Sequence, residues 1–233
     1  MFQYNSGARI FVVNSEEVEE QLGELRDKAP AVIKVAANAT AREVRKQMIK
    51  RALKRYAVNE KGKQKIRELA QKVKATNTKP SAMLYIGGKA GIRSDMAYFK
   101  HKDTTPHPGL DWRNGPRTFK GKVLKKGSMK PLTGSNEYSK AFLAKFASGH
   151  IGMIQRKLGE ESERKTTANG NPRWKSRNGI VERTRTYETP SATAQHKTVY
   201  LREGVEKDAG EFLQQRLEKQ IEKVLARAAA KKG

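Results

Sequence analysis

Residues 142–156 read FLAKFASGHIGMIQR. Two apolar segments, Phe142–Phe146 and Ile151–Ile154, flank Ser148-Gly149-His150. A histidine between glycines at 149 and 152 is open to two readings, a loop built for chemistry or a turn joining two strands. Glycine takes positive φ at no steric cost, so Gly149 or Gly152 can form the turn. The stretch from Lys140 to Leu158 then predicts a pair of strands, with Gly149, His150 and Gly152 as structural residues of the corner. His150 is expected to make a hydrogen bond that holds it, and Arg156 becomes the candidate for contact with another chain.

Outward from this hairpin the pattern changes. Lys120–Lys126 (KGKVLKK) reads as a weak, basic strand, and residues 100–118, rich in proline, glycine and charge, as a loop. Ala82–Ile86 is a short apolar run closed by Gly87-Gly88, a strand signature. Upstream the period is helical. Asn14 followed by Glu17 fits a capping box, with Val18, Leu22 and Leu25 behind it. Pro30 suits the first turn of a long second helix. There Ile33, Ala37, Ala41, Val44, Met48 and Ala52 form one stripe, and Arg42, Lys46, Lys50 and Lys54 lie opposite. A shorter helix after Asn59 places Ile66, Leu69 and Val73 on one side. Residues 8–13 (ARIFVV) predict a first strand.

Downstream, residues 159–179 are polar and nearly without aliphatics, which predicts a long loop. Ile180–Tyr187 alternates imperfectly as a strand, ended by Thr189-Pro190-Ser191. Phe212, Leu213, Leu217, Ile221, Val224, Leu225 and Ala228 stripe a C-terminal helix. Helices, then strands and loops, then a helix predict an α+β fold. Its parts are N-terminal helices, a central mostly antiparallel sheet with a hairpin near 141–158, and a C-terminal helix, in a single domain over 1–233.

The composition is strongly basic. In 233 residues the formal net charge is +25, with 31% charged and 36% hydrophobic residues. Such a balance favours contact with polyanions, nucleic acid first, or with acidic protein partners. The chain contains no cysteine, which excludes disulfides, thiolate metal sites and cysteine nucleophiles. Its first residues lack the basic and apolar regions of a secretory signal. No apolar run approaches the ~20 residues that span a bilayer.

Chemical constellations are weak. His101 and His107 flank Asp103, yet this spacing matches no zinc pattern and two histidines fall short of a ligand set. Gly87-Gly88-Lys89-Ala90-Gly91 follows a strand but lacks the Gly-Lys-Ser/Thr ending of a phosphate loop, and reads as a turn. The acidic residues concentrate on helices, where they suit solvated faces and first turns. Basic stretches are more informative. Lys50–Arg55 lies on the long helix, and Arg164, Lys165, Arg173, Trp174, Lys175 and Arg177 lie in the 159–179 segment. Trp174 can stack on a base or anchor the loop on its own domain. With Arg156, these six residues are the candidate partner-facing or DNA-facing set.

The stretch AFLAKFASGHIGMIQRKLG resembles the hallmark hairpin of the phage minor tail protein Z family, with Ala141, Phe142, Ala144, Gly149, His150, Gly152, Arg156 and Gly159 filling its pattern. APAVIKVAANATAREVRKQM, RELAQKVKAT, YETPSATAQ and DAGEFLQQRLEKQIEKVLARAA are similar to other segments of that family, in the same order, over roughly residues 15–230. The chain departs from it at Ile180-Val181-Glu182, at Thr189-Pro190-Ser191 and in the length of the 159–179 segment. The resemblance implies a tail completion protein of a long-tailed, lambda-like phage. Such a protein is a structural virion component without catalytic site, metal or cofactor. It finishes the head-proximal end of the tail so that the head can join. The implied partners are further copies in a ring, with a hexamer favoured, the tail terminator and the head–tail connector. The tape measure protein and genomic DNA in the neck channel are further candidates, and a membrane is not. The implied location is the virion neck, and the host cytoplasm during assembly. A non-sequence-specific nucleic-acid-binding protein is the alternative that the charge supports.

Overall fold

The computed structural model describes residues 3–4, 7–12, 15–68, 70–86, 94–102, 107–108, 119–132, 141–146, 149, 151–160, 175–177, 180–186, 188–190 and 192–232. The chain is α+β. It divides into two compact units, both discontinuous in sequence. The first is Met1–Lys54, Lys63–Ile92 and Ala192–Gly233; the second is Arg55–Gly62 and Arg93–Ser191.

In the first unit, strands β1 (Gln3–Tyr4), β2 (Gly7–Ile10), β3 (Ala70–Val73) and β4 (Ala82–Ile86) form an antiparallel sheet in the order β1-β2-β4-β3. Its helices are α1 (Ser15–Leu22), most of α2 (Ala29–Arg55), the larger part of α3 (Glu60–Glu68), α4 (Ala192–Arg202) and α5 (Val205–Lys232). The whole expected stripe of α2, Ile33, Ala37, Ala41, Val44, Met48 and Ala52, is buried. Each larger member of it contributes roughly 1.5–3 kcal/mol by leaving water. The opposite residues Arg42, Lys46, Lys50 and Lys54 are exposed. In α5 the buried series is Val205, Ala209, Leu213, Leu217 and Ile221, and it stops there. Leu225, expected in the stripe, is 40% exposed. Asn38 of α2 satisfies both backbone groups of Ala75, donating to its carbonyl (3.1 Å) and accepting from its N–H (3.0 Å).

Three expectations change here. Val73 ends strand β3 and does not continue α3, because Ala70–Val73 pairs with Ile86–Met83 and a ladder satisfies the backbone there. The first strand stops at Ile10. Helix α4 has no counterpart in the sequence reading. Its series ATAQHKTVYLR mixes β-branched and polar residues, so burial of Val199 and Tyr200 defines it rather than propensity. Between α4 and α5 the chain turns at Gly204 (φ 73°). Arg51 of α2 holds this corner by donating to the Glu203 carbonyl and pairing with Asp208. Asn14 lies outside the described residues.

The second unit is mainly strand: β5 (Ser94–Asp95), β6 (Lys100–His101), β7 (His107–Pro108), β8 (Lys120–Lys122), β9 (Lys130–Pro131), β10 (Ala141–Lys145), β11 (Ile151–Glu160), β12 (Lys175–Arg177), β13 (Ile180–Thr186) and β14 (Glu188–Thr189). They pair as a five-stranded sheet, β12-β13-β11-β10-β7, a three-stranded sheet, β6-β8-β9, and the pair β14-β5. All pairs are antiparallel except β10 with β7. The segments expected as loops are thus partly strand. Residues 100–118 contribute β6 and β7, and the basic strand expected over 120–126 ends at Lys122.

Candidate functional site: the hairpin and the basic surfaces

The hairpin that opened the sequence reading is present. Ala141 to Lys145 pair with Gln155 to Ile151 in antiparallel register. Ala141, Phe142, Leu143 and Ala144 are all buried. A strand covered on both faces reads as an unbroken apolar run, which is why the alternation is missing. At the corner, Gly149 has φ 79° and donates its N–H to the Phe146 carbonyl (2.9 Å). That positive φ is the conformation the sequence demanded of a glycine there. Gly152 lies opposite Ala144 inside β11, so it is a strand residue and not part of the turn. His150 lies outside the described residues.

One residue that sequence reasoning missed fixes this hairpin. Asp95, 4% exposed, accepts through Oδ1 from the Met153 N–H (2.8 Å) and from the Ala97 N–H (2.9 Å). It caps the short 3-10 helix Met96–Tyr98 and ties it to the start of β11. An aspartate directly before a short run such as Met96-Ala97-Tyr98 is an N-cap signal, but nothing in the sequence reveals that its oxygen also takes an amide from β11. Nearby, Asn59 caps α3. Its Oδ1 accepts from the Gly62 N–H (3.0 Å), and its Nδ2 donates to the Ala97 carbonyl (2.7 Å).

The expected partner-facing set is only partly gathered. Arg156 stands opposite Thr184 in the β11–β13 ladder. Lys175 and Arg177 are in β12, paired with Glu182 and Ile180. The segment expected as a 159–179 loop is therefore strand at both ends, since β11 runs to Glu160 and β13 offers Lys175–Arg177 a partner. A polar, basic triplet has little strand propensity of its own, and cross-strand pairing supplies what propensity lacks. Arg164, Lys165, Arg173 and Trp174 lie outside the described residues, as do Asp103 and Gly87-Gly88-Lys89-Ala90-Gly91.

Two described histidines, His101 and His196, serve structure. His101 Nδ1 donates to the Phe99 carbonyl (2.8 Å), and its ring lies 6.4 Å from that of Phe119. His196 of α4 is fully buried and donates from Nε2 to the Ile66 carbonyl of α3 (3.1 Å), with Nδ1 unpartnered among the described residues. Burial holds its pKa below the ordinary 6.5, against the Ile66 hydrogen bond that raises it, and the Arg45 charge adds to the lowering. The folded state therefore keeps His196 neutral, while the unfolded chain takes up a proton first as pH falls. Stability is full above about 6.5 and declines below it. The urea midpoint is expected to fall between pH 7.5 and 5.5, and to fall less in His196→Gln. An equal fall in both proteins would remove His196 as the cause.

Among the described residues no group of three or more histidine, aspartate or glutamate side chains is placed to hold a metal ion. No helix of the described residues is long and apolar enough to cross a membrane. The chain matches no family model, no curated protein and no solved structure.

Proposed function

We propose that this protein is a structural component of a tailed-phage neck, which completes the head-proximal end of the tail and enables head–tail joining. The observation that supports the reading most is the collinear order of segments around the hairpin AFLAKFASGHIGMIQRKLG, with α2 before it and α5 after it. A neck ring closes through heterologous contacts, one face of each copy meeting a different face of the next. Arg156, Lys175 and Arg177, on the two strands that flank β13 in one sheet, are the described candidates for such a contact. Removing the gene from a phage that encodes it is expected to leave filled heads and separate tails, seen by electron microscopy, and no infectious particles. A normal yield of infectious particles would sink the proposal.

The net charge of +25 favours a second reading, a protein that binds nucleic acid without reading sequence. This requires the isolated chain to retain DNA on a filter and to lose it steeply as salt rises. No retention at low salt rejects it.

A further inference from the structure

We infer that the exposed ridge Arg42-Lys46-Lys50-Lys54 of α2 is a docking surface for the phosphate backbone of duplex DNA. The inference rests on the polyanion reading of the charge and not on the tail-completion reading.

Residues four apart on a helix rise about 6 Å per step, so these cations span about 18 Å along one oblique ridge. All are exposed. Among the described residues none of them makes an ion pair. The only acid on α2 is Glu43, and its Oε1 is engaged by Gln47 Nε2 at 2.7 Å. Like charges four apart destabilise a helix, and three such pairs follow one another here. The negative end of the helix dipole can favour Lys54 in the last turn, but not Arg42 or Lys46, which lie further back.

The first part of helix α5 shows what a merely solvated helix of this protein looks like. From Glu206 to Lys223 its cations are interleaved with Glu206, Asp208, Glu211, Glu218 and Glu222, and Lys207 pairs with Glu211 at i, i+4 (3.8 Å); past Glu222 the acids end. No such compensation exists on the α2 ridge, so its neutralisation must come from outside the helix.

The chemistry of α2 selects among polyanions. It carries no aromatic residue, and so offers no platform on which unstacked bases of a single strand can stack. Of its larger apolar residues Val32, Ile33, Val44 and Met48 face the core and Val35 alone is exposed, so it lacks the continuous exposed apolar face by which a helix lies in a lipid interface. Duplex DNA, with about one negative charge per 1.7 Å of its axis, needs neither.

The test measures binding of the full chain to a random-sequence DNA duplex across a salt series. Replacing all four cations (R42Q, K46Q, K50Q, K54Q) is expected to reduce the slope of log affinity against log salt by about 3 to 4. Removing as much charge from the compensated part of α5 (K207Q, R216Q, K219Q, K223Q) is expected to change it by less than about 1. Far-UV circular dichroism checks that both variants fold. If the fourfold variant does not fold, R42Q/K46Q and K50Q/K54Q separately are each expected to lower the slope by about 2. Equal losses from α2 and α5 would mean that net charge alone acts, and would overturn the proposal. So would an unchanged slope in the α2 variant, or tighter binding to anionic vesicles or single-stranded RNA than to the duplex. Failure here leaves the particle-assembly test untouched, since that test counts infectious particles and not bound DNA.

Discussion

Asp95→Ala is expected to lower the unfolding free energy of the protein by about 3–5 kcal/mol, read from urea denaturation. One buried carboxylate oxygen accepts the N–H groups of Ala97 and Met153. Hydrogen bonds to a charged group contribute roughly 1.5–3 kcal/mol each, and removing the acceptor leaves both donors to find another partner. Met153 is fully buried in β11, so no water replaces the lost oxygen cheaply. Asp95→Asn keeps an oxygen in place and is expected to cost less, about 1–2 kcal/mol. If alanine and asparagine cost the same, the oxygen at this position is not what matters. A cost below about 1 kcal/mol for alanine would mean that Asp95 does not organise the hairpin.

Gly62→Ala is expected to destabilise by about 1–3 kcal/mol, although helix propensity alone predicts the reverse sign. Gly62 lies in the first turn of α3, where alanine would ordinarily add about 1 kcal/mol. Here a Cβ would overlap the backbone carbonyl oxygen of Tyr98 and sit 2.9 Å from Val58 Cβ. The Tyr98 oxygen cannot retreat freely. It accepts from the Asn59 N–H (3.0 Å), and the next residue, fully buried Phe99, is bridged to Val58. Gly121→Ala is the internal comparison. Its nearest obstacle is the terminal methyl of Met96, the far end of a flexible side chain, so it is expected to cost less. A Gly62→Ala variant more stable than the parent in thermal unfolding would rule out the steric account.

The helical part of the molecule was legible because its signals are local and redundant. The α2 stripe, Asn59 before α3 and the cationic ridge are all set by spacing within one segment, and each sits where the pattern puts it. The hairpin was legible for the same reason, its two apolar runs being separated by a glycine that must turn. What escaped depends on distant partners. The sequence pattern predicts more helix at β3 because Val73 continues the period of Ile66, whereas pairing with β4 decides its state. Strand β12 has no apolar residue, so nothing in Lys175-Ser176-Arg177 announces it until β13 lies alongside. Asp95 was invisible for the same cause, since its second donor comes from a residue 58 positions away.

The discontinuity of the two units has a consequence for biosynthesis. Most of the second unit, Arg93–Ser191, leaves the ribosome as one uninterrupted stretch and joins only the short piece Arg55–Gly62 made before it. The first unit has no such freedom. Helices α4 and α5 are the last parts of it to be made, and α1 packs on α5 while Arg51 of α2 bonds Glu203 and Asp208, so these early helices wait through more than half of translation for those partners. Late closure of this kind is slow, and leaves apolar surface open to association meanwhile. The alanines of α2, small and strongly helix-forming, make its apolar face less adhesive than leucines would, and hold the helix ready for its late partners.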